Sequence, residues 1–140
     1  LYEVDRLLNI LKNEDLNDVI KFEGWVSGEK KQELLNISDA YILPSYAEGV
    51  PISILEAMSY HLPIIATNVG GIPSIVGNQN GILVEPGNKT QLKDAINRLI
   101  HSKIQREKMG EASYHISLEY QPHNVVKELN LLYSKIGIKL

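Results

Sequence analysis

The sequence contains no cysteine among its 140 residues. Disulfide bonds and thiolate metal sites are therefore excluded, whereas the compartment is not indicated, because a cysteine-free chain is stable in either redox environment. The sequence also lacks any apolar run near the ~20 residues that a membrane-spanning helix needs, and no signal peptide is visible. The chain begins without Met in a segment typical of a helix, which favours an internal or C-terminal piece of a longer protein over a processed N-terminus.

An excess of positive charge is also missing, since 14 Lys and Arg residues face 17 Asp and Glu residues, for a net charge of −3. Broad attraction to nucleic acid or to an anionic membrane is therefore not implied. A few backbone amides can still form a local phosphate site. The length, with 44% hydrophobic and 22% charged residues, is typical of one globular α/β domain with one core.

Short apolar segments alternate with amphipathic ones through most of the chain, without repeats or low-complexity tracts. The predicted strands lie at 19–24, 40–45, 62–68 and 81–84, and the predicted helices at 4–11, 29–37, 51–60, 91–102, 103–118 and 123–136. Strands that alternate with helices indicate βαβ units. The sequence therefore predicts an α/β fold with a Rossmann-like parallel sheet and helices on both faces.

Particular residues mark the ends of these elements. Pro51 suits the first position of its helix, where a missing N–H costs nothing, and Thr90 is expected to cap the helix at 91–102. Gly70-Gly71 predicts a tight turn into a short helix. Pro122 marks the one candidate boundary, where the last helix could leave the body of the domain.

The segment YAEGVPISILEAMS places two glutamates around the start of a predicted helix. Glu48 and Gly49 follow a strand, where parallel sheets bind ligands. A helix N-terminus offers unpaired N–H groups and a partial positive charge, which favour an anion such as a diphosphate. Gly49 permits close approach of a ligand, and Val50 and Ile52 keep the amide hydrogen that Pro51 lacks.

Glu56 lies about one turn into that helix, eight residues after Glu48. Eight residues rise by roughly 12 Å along a helix, an upper guide for the separation. Ionised carboxylates accept hydrogen bonds from sugar hydroxyls, so this layout suits a nucleotide sugar, with ribose, diphosphate and sugar in line. The alternative is that each glutamate is a solvated surface group, although Glu56 stands in an apolar stretch where burial without donors is costly.

A resemblance to retaining GT-B glycosyltransferases of the glycogen-synthase-like and mannosyltransferase-like group is carried by residues 38–76, SDAYILPSYAEGVPISILEAMSYHLPIIATNVGGIPSIV. The family signature is E-x7-E, which matches Glu48 to Glu56. The matching residues are Pro44-Ser45, Glu48-Gly49, Leu55-Glu56-Ala57-Met58, Pro63, Ala66-Thr67 and Gly70-Gly71. The resemblance extends over about residues 15–135 and implies the C-terminal, donor-binding half of a GT-B fold.

The resemblance implies a role for each site residue. Glu48 is the catalytic residue, which contacts hydroxyls of the transferred sugar and orients it, and Glu56 accepts hydrogen bonds from the ribose. The diphosphate and sugar are lined by the backbone of Gly49, Val50, Pro51 and Ile52. Trp25 and Val26 lie near the nucleotide base, although Trp25 fits equally well as a core or rim aromatic.

The reaction that the resemblance implies is transfer of a sugar from a UDP-, GDP- or ADP-sugar to a saccharide or lipid-linked acceptor, with retention of configuration. No metal cofactor is expected, and the sequence shows no D-x-D pair or histidine cluster. His61, His101, His115 and His123 are expected at the surface or at helix ends. Nucleic acid is not an expected partner. The implied setting is polysaccharide biosynthesis in the cytoplasm, at the inner face of the membrane, where the whole protein can associate peripherally.

The sequence departs from the family pattern at its beginning. The family's Gly-rich turn with an Arg and a Lys that bind the diphosphate has no match, and about two strands and one helix are missing with the acceptor domain. His61 and Ser74 replace a frequent Gly and Glu. Residues 1–140 are therefore expected to be a partial C-terminal nucleotide-sugar-binding domain, inactive or nearly so alone. The alternatives are a stand-alone nucleotide-binding or subunit module, and an epimerase or phosphorylase of the same architecture, which the E-A-M and A-T-x-x-G-G details fit less well.

Overall fold

The computed structural model describes residues 2–137, which divide into two compact units between Glu33 and Leu34. The elements in chain order are α1 (Tyr2–Asn13), α2 (Gly28–Ile37), β1 (Tyr41–Leu43), α3 (Ile52–Ser59), β2 (Ile64–Thr67), a 3₁₀ turn (Ile72–Ser74), β3 (Gly81–Val84), α4 (Lys89–Ile100), α5 (Lys103–Glu119) and α6 (Pro122–Lys135). Within these residues no helix combines the length and the apolar character needed to cross a membrane. The division does not lie at the expected boundary near Pro122, because the residues on both sides of Pro122 belong to the second unit. Pro122 begins α6, where its missing N–H leaves no gap in the helix.

The first unit contains α1, which confirms the predicted helix at 4–11. The predicted strand at 19–24 is wrong. Its first residues form a turn, because the backbone N–H groups of Val19 and Ile20 both donate to the carbonyl of Leu16, at 3.0 and 2.8 Å. The rest of the segment pairs with no strand among residues 2–137. Extended backbone becomes a strand only when a neighbour takes up its N–H and C=O groups.

The second unit is built on a three-stranded parallel sheet in the order β1-β2-β3. β2 is central and all four of its residues are buried, as its apolar, β-branched sequence predicts. In register, Leu43 lies beside Ala66, and Thr67 lies beside Val84. β1 ends before Pro44, because proline has no N–H for the ladder. The last residues of the three strands therefore meet at one edge of the sheet.

Helices cover both faces of this sheet, as predicted. Alternate residues of β2 point to opposite faces, so Ile64 and Ala66 pack in one cluster while Ile65 packs in another. The first cluster includes Ile54, Ala57 and Met58 of α3. The second includes Ala95 and Leu99 of α4 with Met109 of α5.

The N-terminus of α4 is capped by Asn88 and not, as expected, by Thr90. The Asn88 side-chain oxygen accepts a hydrogen bond from the backbone N–H of Gln91 at 3.0 Å. Asn88 has the non-helical backbone that a cap requires, whereas Thr90 already lies in the first turn. The cap therefore lies two residues earlier than predicted, inside the turn that follows β3.

The last helix, α6, has no buried residue. The exposed apolar side chains along α6 and at the residue that follows it are Val125, Val126, Leu129, Leu131, Leu132 and Ile136. A helix with an apolar face is normally stabilised by burying that face against another element. In the described chain, no residue of α6 is buried in this way.

Candidate functional site

The candidate site lies in the loop between β1 and α3, at the carboxyl end of the sheet. Pro51 is the residue before α3 and not its first helical residue as expected, because its ψ of 120° is extended. Its carbonyl accepts a hydrogen bond from the Ile54 N–H at 3.1 Å. No side chain caps this helix. The first N–H groups of α3 therefore lack the side-chain partner that most helix N-termini have.

Glu48 is half-buried in this loop and is held by a hydroxyl group. The Ser45 Oγ–H donates to Glu48 Oε1 at 2.7 Å. Ser45 is in turn held by β2, because the Thr67 Oγ1–H donates to the Ser45 carbonyl at 2.5 Å. Thr67 is only 1% exposed. A chain of two hydrogen bonds therefore runs from the central strand to the Glu48 carboxylate.

Gly70 and Gly71 form the other support of the loop. The Gly71 N–H donates to the Gly49 carbonyl at 2.8 Å. Gly70 has a φ of +53°, and a Cβ there would lie 1.8 Å from the Glu48 carbonyl oxygen. A Cβ on Gly71 would lie 2.6 Å from a Val50 methyl group. The sequence predicted a tight turn here, and the structure adds that the turn packs directly against the residues at 48–50.

The remaining loop residues present backbone to the outside. A Cβ on Gly49 would meet no atom within 4 Å. Val50 and Ile52 are exposed, Ile52 to 73%, and Pro51 is half-buried. The chain's own packing therefore does not require glycine at position 49. A ligand that approaches the backbone closely would require it.

Glu56 lies on α3, four residues after the helix begins, and is half-buried. Its neighbour Ala57 is fully buried in the core cluster of α3 and β2. The structure thus places Glu48 in the loop before α3 and Glu56 on α3 itself, as the sequence predicted. Both belong to the second unit, together with the backbone of residues 49–52.

A cavity of about 170 Å³ lies beside this loop, at the carboxyl ends of all three strands. Its polar lining comes from Tyr46, Thr67, Glu85, Asn88 and Lys89. None of these side chains was predicted from the sequence to bind a ligand. The signal that could have found them is the break EPGN directly after β3, since loops after neighbouring parallel strands share one edge of the sheet.

Trp25 and Val26, the residues predicted near the nucleotide base, lie in the first unit. Trp25 is 95% exposed, which excludes its alternative role as a core aromatic. Val26 is half-buried. Their contact with the base remains a prediction.

The histidines lie at the surface, as expected. His61 follows α3 and stacks on Tyr114, with ring centroids 4.2 Å apart. Its Nδ1 lies 3.2 Å from one oxygen of Glu111, whose other oxygen lies 3.1 Å from His115 Nε2. Among the described residues no group of three or more histidine or carboxylate side chains is placed to hold a metal ion.

Comparison with known proteins gives a match to the family model "Glycosyl transferases group 1" over residues 2–116. The TuaC glycosyltransferase of Bacillus subtilis, named for teichuronic acid biosynthesis, is 29% identical over 114 residues, which are 81% of this chain and 29% of TuaC. The chain spans about a third or less of the length of the first curated relatives that it matches.

Two solved structures share the fold. The C-terminal domain of the group 1 glycosyl transferase LpcC from Francisella tularensis has a TM-score of 0.77 and 28% identity, over 87% of this chain and 64% of that one. HepE from Anabaena, solved in complex with UDP, has a TM-score of 0.81 and 22% identity, over 96% of this chain and 37% of that one. These matches confirm the predicted fold class, that of the C-terminal domain of GT-B proteins.

Proposed function

Because the chain belongs to the group 1 glycosyl transferases, we propose that it binds the nucleotide-diphosphate sugar used in a retaining sugar transfer. The observation that carries this proposal is the loop at residues 45–52. It presents a hydrogen-bonded carboxylate and exposed backbone before a helix without a side-chain cap, at the carboxyl edge of a parallel sheet. Parallel sheets bind nucleotides at this edge. The UDP bound to HepE supports a nucleoside diphosphate as the ligand.

The proposed roles follow from the order of groups along the loop. The diphosphate lies against the backbone of residues 49–52, where the N–H groups and dipole of α3 favour negative charge. Glu48 accepts hydrogen bonds from the transferred sugar, and Glu56 accepts hydrogen bonds from the ribose. In this proposal Glu48 and Glu56, the two glutamates of E-x7-E, bind the two ends of an elongated ligand. Trp25 and Val26 are proposed to contact the nucleotide base.

The proposed chemistry requires no nucleophile from this chain. The bond between the anomeric carbon and the diphosphate oxygen breaks, and the acceptor oxygen forms its bond on the same face, so the configuration is retained. The acceptor proton passes to the leaving diphosphate. The protein contributes by orienting the sugar and by stabilising charge on the diphosphate. The proposal includes no metal-binding residues.

The remaining parts of the proposal concern the whole protein. Residues 1–140 serve as part of a donor-binding domain, and an acceptor domain binds the saccharide or lipid-linked acceptor. Polysaccharide biosynthesis is the proposed setting, supported by the name of TuaC. A cytoplasmic location at the inner face of the membrane is proposed with it.

The test is an NMR titration of the 140-residue chain with UDP, GDP and ADP. We expect one of them to bind and to shift the amide signals of Gly49 and Val50. Glu56→Gln should weaken that binding at least tenfold, because hydrogen bonds to charged groups contribute about 1.5–3 kcal/mol and each 1.4 kcal/mol is about a factor of ten. Glu128→Gln, which removes the same charge from exposed α6, is the matched control. If all three nucleotides leave the loop signals unchanged at millimolar concentration, the donor-binding proposal for this chain is wrong.

A further inference from the structure

Two hydroxyl groups behind Glu48 contact no part of the donor in the proposed function. Ser45 donates to Glu48 Oε1 at 2.7 Å, and Thr67 donates to the Ser45 carbonyl at 2.5 Å. Ser45 is half-buried, whereas Thr67 ends the central strand and is 1% exposed. The two residues are separated by 22 positions in the chain. Their contact is therefore a tertiary one, and it joins the loop to the fully buried strand β2.

We propose that Ser45 is a positioning residue for Glu48, and that Thr67 positions Ser45 in turn. This inference rests on the proposed role of Glu48 in holding the transferred sugar. A glutamate has three side-chain torsions, and an exposed carboxylate samples many rotamers. The bond from Ser45 selects one orientation before any ligand arrives. Because Glu48 is already ordered, its side chain loses less conformational entropy when the sugar binds.

The number of acceptor positions on the Glu48 carboxylate shows why it can still bind sugar hydroxyls. An ionised carboxylate has about four acceptor positions on its two oxygens. Ser45 uses one position on Oε1. Among residues 2–137 no second side-chain partner of the Glu48 carboxylate is found. Oε2 and the remaining position on Oε1 are therefore available to sugar hydroxyls, and Ser45 sets the direction in which they point.

The Ser45 hydroxyl has one hydrogen to donate, and Glu48 takes it. The main chain of Ser45 is fixed separately, through its carbonyl, by Thr67. Removal of either hydroxyl therefore has a different consequence. Without the Ser45 hydroxyl the loop backbone keeps its conformation, and the Glu48 side chain is free to change rotamer. Without the Thr67 hydroxyl the Ser45 main chain is released and the carboxylate is disturbed indirectly.

The experiment compares Ser45→Ala, Thr67→Val and Thr67→Ser with the unaltered chain. Each protein is titrated with a nucleotide sugar and with its nucleoside diphosphate, using UDP-glucose and UDP-N-acetylglucosamine against UDP, and GDP-mannose against GDP. The affinity ratio isolates the contribution of the sugar. We expect Ser45→Ala to lower this ratio about threefold to tenfold, the usual cost of ordering one rotamer-rich side chain on binding, and to leave the diphosphate affinity within twofold.

Two further readouts separate positioning from general damage. Thr67→Ser keeps the hydroxyl and should restore the ratio that Thr67→Val loses. In the free protein, three-bond couplings of the Glu48 methylene groups should report one rotamer in the unaltered chain and averaging in Ser45→Ala. Ser134→Ala, which removes an exposed hydroxyl from α6, is the control for loss of a serine.

The outcomes distinguish this inference from the proposed function. If the unaltered chain binds no nucleotide, the proposed function is wrong and the inference fails with it. If the unaltered chain binds a nucleotide sugar more tightly than its diphosphate, and Ser45→Ala keeps that ratio, only the positioning inference is overturned. Averaged Glu48 couplings in the unaltered chain would overturn it as well.

Discussion

Replacement of Gly70 by alanine gives the sharpest test of how the site is supported. Gly70 has a φ of +53°, and its Cβ position lies 1.8 Å from the carbonyl oxygen of Glu48. Real Cβ atoms essentially never approach a backbone atom within 3.0 Å. Alanine therefore requires the Glu48 loop and the Gly70 turn to separate by more than 1 Å.

The magnitude of the effect has two parts. A left-handed backbone costs an L-residue about 1–2 kcal/mol. Crowding in a packed region costs about 1–3 kcal/mol more. A displacement of more than about 1 Å would also move Glu48 out of hydrogen-bond distance of a bound sugar. We therefore expect Gly70→Ala to lower both the free energy of unfolding and the affinity for the sugar donor.

Urea denaturation and the nucleotide titration measure the two effects separately. Gly28→Ala is the matched control, because Gly28 has a φ of +54° and a Cβ there meets no atom within 4 Å. Gly28→Ala therefore has the energetic cost of a left-handed backbone but no steric clash of the new Cβ. A collision at Gly70 is refuted if both variants lose the same free energy of unfolding and Gly70→Ala leaves the amide signals of Glu48 and Gly49 unshifted.

Two other substitutions test the loop and the turn after β3. Gly49→Ala should leave the free energy of unfolding within about 0.5 kcal/mol, as for surface changes, because its Cβ enters open space; it should nevertheless weaken nucleotide binding at least tenfold in the same titration. Equal affinity would show that no ligand approaches this backbone. Asn88→Ala should destabilise the protein by about 1 kcal/mol in urea denaturation, since it removes the cap of α4. Thr90→Ala is its control, and a larger loss there would reverse the assignment of the cap.

Much of the fold follows from local pattern. The segment IIAT, in which three of the four residues are β-branched, is a fully buried central strand, and GILV is a strand over the predicted residues. Gly49 and Pro51 separate β1 from α3 as expected, so the position of Glu48 at the carboxyl edge of the sheet was predictable. Periodicity and helix-end residues depend mainly on neighbours in the chain, which a sequence displays directly.

The errors occur where distant residues decide the result. The segment 19–24 has the composition of a strand but finds no partner strand in the described chain. Thr90 and Asn88 are both plausible caps by residue type, and the path of the chain after β3 selects Asn88. The bond from Thr67 to Ser45 joins residues 22 positions apart. No local pattern contains such a contact.

The packing of Gly70-Gly71 against residues 48–50 has a consequence for recombining these proteins. The loop that presents Glu48 and the glycine pair that supports it come from different βα units, yet they pack directly against each other and share a backbone hydrogen bond. An exchange of residues 45–52 between relatives, intended to change sugar preference, would place a foreign loop on an unmatched support. Residues 67–71 should be exchanged at the same time, with both segments taken from the same relative.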